Sequence, residues 1–475
     1  MRAFTNLRNP ATVRVMFETV AIPYWGLLLI GLFAAISIGE RLLFPSVRWF
    51  FRKRAERVVA RVNQRLSRPI EPFKLARRYD MIQRLTYDSE VLRAVAEHAA
   101  AHGEPDEVAL ERARRYAREI VPSFSATAYF GIGTRAARWL GNALYRVRLG
   151  HVEQASIDGD ATVVFVMNHR SNMDYVLVTY LAARASALSY AVGEWARVWP
   201  LSRLIKAMGA YFIRRKSRGE LYRTVLRRYV HMATTGGVTQ AVFPEGGLSL
   251  DGKIAPPKLG LLTYMVEAWA PDARDIVFVP VAINYDRVLE DRILIAANEA
   301  GSRRFKARMG VVTRFALKHL WLRLTGRFYK FGYASVSFGA PVSLKDWHAR
   351  GAEDLTKSLA AEVVRRIEAV MPVLPVPAVA RVMLAAKDGL TEEELAARVS
   401  ALLEGVEDGH LHLPRGDLAY ASTFGLRNMM SRGMLEKRDG RIYVAEGQRS
   451  AVAYYANSIA HVQRNSDDET ALAEL

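Results

Sequence analysis

The chain has 475 residues, 51% of them apolar, enough to bury the cores of about three domain-sized units and too many for a mainly disordered protein. Lysine and arginine number 67 against 48 acidic residues, a formal net charge of +19, so an acidic partner is expected: nucleic acid, anionic lipid or a phosphorylated substrate. With no cysteine, disulfides, thiol nucleophiles, zinc ribbons and iron–sulfur sites are excluded.

From Ala21 to Gly39 the residues carry no charge. At about 1.5 Å per residue this run approaches the roughly 30 Å hydrocarbon core of a bilayer and predicts one transmembrane helix. Tyr24 and Trp25 stand where an interfacial aromatic belt belongs. Arginines are far denser after the span (Arg41, Arg48, Arg52, Arg54, Arg57) than before it (Arg2, Arg8, Arg14), which places the long C-terminal body on the cytoplasmic side of a cell (inner) membrane. A signal peptide or a buried core helix fits less well, because the run is long and a basic stretch follows it without a convincing cleavage site. The stretch from Val47 to Leu66 mixes Trp49, Phe50 and Phe51 with many arginines and suits either a helix on anionic headgroups or a solvated helix face.

Four regions follow. Residues 1–68 hold the membrane segment and its basic extension. Residues 69–150 read as a helical unit, broken once at His102-Gly103-Glu104-Pro105. Gly131, Gly133 and Ala136 match a dinucleotide fingerprint, but no strand-like run precedes them and the match is set aside. Residues 151–371 alternate apolar runs (162–168, 188–193, 237–245, 275–285, 333–339) with helical stretches, which predicts an α/β fold with a mostly parallel sheet flanked by helices. After the Pro-rich joint at 372–377, residues 372–475 read as a small α+β unit, similar to a winged helix, with a helix capped by Thr391 and a hairpin turning at Asp439-Gly440.

In open α/β sheets, functional groups gather beyond the carboxyl ends of the strands. Asn168-His169-Arg170-Ser171-Asn172-Met173-Asp174 follows such a strand, and a turn into a helix would bring Asp174 under His169. A carboxylate behind an imidazole makes a general base for a hydroxyl. Arg214 and Arg215, delivered together by Gly209-Ala210-Tyr211-Phe212-Ile213, suit a phosphate dianion. Glu245 ends another strand before Gly246 and Gly247, where glycine lets a backbone approach a ligand and the carboxylate can bind hydroxyls. Lys258 in Pro256-Pro257-Lys258-Leu259-Gly260 can reach an anion, while Val279-Pro280-Val281 reads as core. No metal cluster is expected, since His410 and His412 share a loop without a third ligand nearby in sequence.

In order and spacing these blocks resemble the four motifs of the glycerophospholipid acyltransferase family. His169-Arg170-Ser171-Asn172-Met173-Asp174-Tyr175, the Arg214-Arg215 pair, Pro244-Glu245-Gly246-Gly247 and the Lys258 block are similar to those of bacterial membrane-bound glycerol-3-phosphate acyltransferases. The resemblance implies transfer of a fatty acyl group from an acyl thioester, on coenzyme A or acyl carrier protein, to the sn-1 hydroxyl of glycerol 3-phosphate, without a cofactor or a covalent acyl-enzyme. It implies His169 and Asp174 as the base pair, Arg214, Arg215 and Lys258 at the acceptor phosphate, Glu245 and Gly246 at its hydroxyls, and Asn168 or nearby amides at the oxyanion. Anionic membrane lipids are further partners. Leu248 stands where the family pattern has an arginine, which keeps a lysophosphatidate acyltransferase as the alternative and a catalytically dead lipid-binding scaffold as a more distant one. A membrane-tethered nucleic-acid binder is disfavoured, because the basic residues spread along the chain without a nucleic-acid motif.

Overall fold

The structure, a computed structural model, describes residues 23–38, 53, 56–57, 59–153, 156–182, 186–193, 201–214, 219–301, 330–404, 406, 410–411 and 417–462. Arg215, His412 and most of the basic run at 47–58 lie outside them. The chain divides into two units, Met1–Arg61 and Val62–Leu475.

In the first unit α1 (Tyr24–Ile38) is an apolar helix of 15 residues that exposes Leu28 and Phe33. Its length is about 22 Å, short of the roughly 30 Å hydrocarbon core. Residues 21, 22 and 39 of the expected span lie outside the described residues; no helix among the described residues is long and apolar enough to cross a membrane.

The second unit opens with helices α2 (Arg78–Thr86), α3 (Ser89–His102) and α4 (Asp106–Ile120). Asp88 caps α3 by accepting the Glu90 N–H, and Gly103 ends it in the left-handed conformation, φ 60°. A π-helical turn, Thr127–Gly133, runs into α5 (Thr134–Leu144), so the Gly131-Gly133-Ala136 pattern lies within continuous helix.

The sheet follows, with β1 (Arg146–Val152), β2 (Thr162–Met167), α6 (Met173–Ala182), β3 (Ser189–Gly193), α7 (Leu201–Ala207), β4 (Tyr211–Ile213), α8 (Glu220–Thr235), β5 (Gln240–Val242), α9 (Gly260–Val266), β6 (Ile276–Tyr285), α10 (Asp291–Glu299), β7 (Tyr333–Phe338) and β8 (Val342–Ser343). Strand order is β1-β7-β6-β2-β5-β3-β4, with β8 beside β6. The strands from β6 through β4 run parallel; β7 and β8 pair with β6 antiparallel. Then come α11 (Leu344–His348), α12 (Leu355–Ala369), α13 (Pro375–Ala385), α14 (Glu392–Leu403), α15 (Leu418–Ser431), the hairpin β9 (Leu435–Arg438) and β10 (Arg441–Val444), and α16 (Arg449–Ala456).

Side chains alternate across a strand, so a sheet covered on both faces needs apolar residues at every position. In β2, Val163, Phe165 and Met167 enter one core, shared with Val379 of α13, Leu395 of α14 and Val452 of α16. Val164 and Val166 enter the other, shared with Leu85 of α2, Val91 of α3, Ile120 of α4 and Val225 of α8. The N-terminal helices and the C-terminal unit therefore pack against opposite faces of one sheet, and β2 with its following loop is held between them.

Candidate active site

Beyond Met167 the chain leaves β2 and enters α6 within six residues, and the dyad forms in that passage. His169 Nδ1 lies 2.9 Å from Asp174 Oδ2, with both side chains buried. The same Oδ2 accepts the N–H groups of Arg170 (2.8 Å) and Ser171 (3.0 Å), while Oδ1 accepts the Tyr285 hydroxyl at 2.5 Å. Asp174 stands in the first turn of α6, where unpaired amides and the helix dipole favour a carboxylate. Four donors fix its orientation, so His169 donates from Nδ1 and presents Nε2 as the acceptor. The imidazole stacks on Phe243 with centroids 4.0 Å apart and meets the edge of Tyr175 at 5.5 Å.

Glu245 is a clamp on this loop. Its Oε1 accepts the His169 N–H at 2.7 Å and Oε2 accepts the Ala255 N–H at 3.1 Å. The His169 carbonyl in turn accepts the Ser249 N–H at 2.9 Å. Burial pushes the Glu245 carboxyl up to about 7 even though the two amides and Arg170 pull it down. Glu245 thus holds the His169 loop through one oxygen and the Ala255 N–H through the other. Glu245 also lines a cleft of about 400 Å³ with Leu248, Ser249, Ile254, Ala297 and Asn298.

Gly246 has φ +67°, and a Cβ there would lie 2.8 Å from Lys258 Cδ; Lys258, an exposed residue, therefore crosses directly over the glycine. Asn168 bridges β2 to β6. Its Nδ2 donates to the Ile283 carbonyl at 2.9 Å and its Oδ1 accepts the Ile283 N–H at 2.7 Å, extending the β2–β6 pairing one step past the strand end. Arg214 is likewise engaged: Nε and Nη2 bind Glu119 of α4 at 2.9 and 2.6 Å, and its guanidinium lies 5.1 Å from the Tyr116 ring. That ion pair ties Arg214 to the helical layer, with 32% of the side chain exposed.

Two contributors have no motif signal. Tyr285 ends β6, and only its place beside β2 explains its bond to Asp174; burial and the Asp174 charge push its hydroxyl well above the usual tyrosine range. Glu290 accepts Ser171 Oγ–H at 2.7 Å and Asn172 Nδ2–H at 3.0 Å, pinning the far side of the loop. No group of three or more His, Asp or Glu able to hold a metal occurs among the described residues.

A buried imidazole backed by an immobilised carboxylate, at the carboxyl end of a parallel strand, is an arrangement able to take a proton from a hydroxyl. Two family profiles match the chain: Acyltransferase at residues 148–284, and the glycerol-3-phosphate acyltransferase C-terminal region at residues 322–463. A glycerol-3-phosphate acyltransferase of Pseudomonas putida (strain ATCC 47054 / KT2440) is 29% identical over 420 residues, covering 82% of this chain and 49% of that one. Its counterpart in Pseudomonas aeruginosa PAO1 is 28% identical over 423 residues, with the same shares of 82% and 49%. The chain thus spans about half the length of the curated relatives it matches. The solved 1-acyl-sn-glycerophosphate (LPA) acyltransferase, PlsC, from Thermotoga maritima is 22% identical, with a TM-score of 0.32 over 61% of this chain and 95% of that one.

Proposed function

We propose that the protein transfers a fatty acyl group from an acyl thioester, on coenzyme A or acyl carrier protein, to the sn-1 hydroxyl of glycerol 3-phosphate, giving lysophosphatidate. The observation that carries this is the His169 Nδ1–Asp174 contact of 2.9 Å within a carboxylate cage of four donors. Nε2 of His169 takes the hydroxyl proton as the oxygen attacks the thioester carbonyl. The tetrahedral intermediate then expels the thiolate, which recovers that proton from the imidazolium. No acyl-enzyme and no cofactor are needed. Burial of His169 keeps water from competing as the nucleophile.

Lys258, above Gly246, is assigned to the acceptor phosphate together with Arg215. Arg214 joins them only by giving up Glu119. Placement at the inner membrane beside anionic lipids, with the body on the cytoplasmic side, is supported by the exposed apolar surface of α1 and the basic residues after it in the sequence. The test is acceptor competition: the purified full chain receives palmitoyl-coenzyme A, or palmitoyl-acyl carrier protein, with equal glycerol 3-phosphate and lysophosphatidate. Lysophosphatidate as the product is expected. Phosphatidate alone would move the protein to the second acylation, a reading that Leu248 in the cleft and the Arg214–Glu119 pair would then explain.

A further inference from the structure

Arg170 follows the base directly, yet its side chain turns away from the dyad and is buried, 2% exposed. Its Nη1 donates to the Gly252 carbonyl at 2.6 Å, and its guanidinium lies 5.0 Å from the ring of Tyr454 in α16. Nε and Nη2, both buried, have no hydrogen-bond partner among the described residues, and neither does the Tyr454 hydroxyl. Burying three polar atoms without partners costs stability, and apolar side chains of similar volume commonly pack as well or better in such places. Stability alone does not account for this pair.

The surroundings show what the pair connects. Gly252 has φ +88°, and a Cβ there would lie 1.9 Å from the Tyr454 carbonyl, so the loop after Glu245 and α16 meet backbone to backbone. Asn457 Nδ2 reinforces the contact by donating to the Asp251 carbonyl at 2.8 Å. That loop reaches the base through the Ser249 N–H on the His169 carbonyl and the Ala255 N–H on Glu245, which holds the His169 N–H. The backbone N–H of Arg170 meanwhile binds Asp174. One residue thus touches the carboxylate of the dyad with its backbone and the C-terminal helix with its side chain.

We infer that Arg170 is a positioning residue that couples α16 to the His169–Asp174 pair, so that the base is held in its productive place only while Tyr454 is seated against Gly252. The inference rests on the proposed acyl transfer. It predicts four phenotypes in the full-length protein. Arg170→Met loses about 30-fold or more in kcat, with KM for both substrates within about threefold and an unfolding midpoint within about 2 °C of the original. Arg170→Lys recovers at least about fivefold of that loss by restoring a donor to Gly252. Tyr454→Leu, which removes the ring, reproduces the kcat loss, whereas Tyr454→Phe, which removes only the unpartnered hydroxyl, keeps activity within about twofold.

The experiment measures kcat, KM and unfolding midpoint for these variants, together with hydrogen–deuterium exchange of the peptide spanning 168–174. Faster exchange there in both Arg170→Met and Tyr454→Leu is expected. Unchanged exchange, full activity of Tyr454→Leu, or a kcat loss that merely tracks a lowered midpoint would overturn the coupling. Should Arg170→Met fail to fold, the contrast between Tyr454→Leu and Tyr454→Phe decides alone. A wild-type protein that transfers no acyl group would defeat the proposed function, while the exchange of 168–174 would still report on the coupling.

Discussion

At the scale of single residues, the site depends on orientation more than on any one contact. His169 can act as a base only if Nε2 is unprotonated and aimed, and Asp174 secures both through Nδ1. Tyr285→Phe leaves the ring in place but takes one of four donors from Asp174. A fall in kcat of about tenfold is expected, with little change in KM, and steady-state kinetics will show it. Glu245→Gln is more severe, because an amide offers one acceptor where two N–H groups converge; kcat should drop about 30-fold although no substrate contact has been removed. The five-residue spacing of His169 and Asp174 is a weak signal by itself; their place directly after a strand and within the family-like block made them legible. The partners of Asn168 and Arg214 were not legible, because a side chain's partner is chosen by what the fold brings near it: Ile283 and Glu119 stand 115 and 95 residues away.

At the scale of elements, local rules account for most boundaries. Thr391 accepts the Glu394 N–H and Glu394 returns the bond to the Thr391 N–H, a complete capping box for α14. Thr391→Ala should cost about 1 kcal/mol in denaturant unfolding and leave kcat untouched, since the Thr391 hydroxyl bonds the Glu394 N–H at the start of its own helix. Likewise Asp439, with φ +48°, and Gly440, with φ +79°, form the tight turn that the Asp-Gly pair announces. Continuous apolar runs at 162–168 and 275–285 gave β2 and β6 nearly to the residue. β1 and β4 went unread for physical reasons: β1, Arg146–Val152, is a charged edge strand with no buried residue, and β4 has only three residues. Within the 21–39 run the described helix holds 15 residues, Tyr24–Ile38.

At the scale of the whole molecule, the two faces of the sheet carry different layers, and buried carboxyls mark their junctions. Asp286 accepts the N–H groups of Tyr333 and Val376 where the sheet meets α13, and burial pushes it up to about 7, as it does Glu245. A carboxyl raised in the folded state favours the protonated fold, so its stabilising contribution is complete below about pH 4 and is lost as pH rises through 7. Each shift corresponds to about 3 to 4 kcal/mol at most. Glu362, held near 2 by Arg365 and Arg366, acts in the opposite sense and only at lower pH. Unfolding free energy measured at pH 5 and pH 8 should therefore fall with rising pH, and Asp286→Asn should flatten that fall; an unchanged slope would remove Asp286 as its source.

The base itself remains the centre of the account, and one comparison reaches it most directly: acyl transfer by the wild-type chain and by His169→Ala, from palmitoyl-coenzyme A to labelled glycerol 3-phosphate, with the unfolding midpoint of both proteins recorded. A loss of about 10³-fold in turnover at an unchanged midpoint is expected. A variant that keeps its fold and turns over within about tenfold of wild type would contradict general-base catalysis by His169.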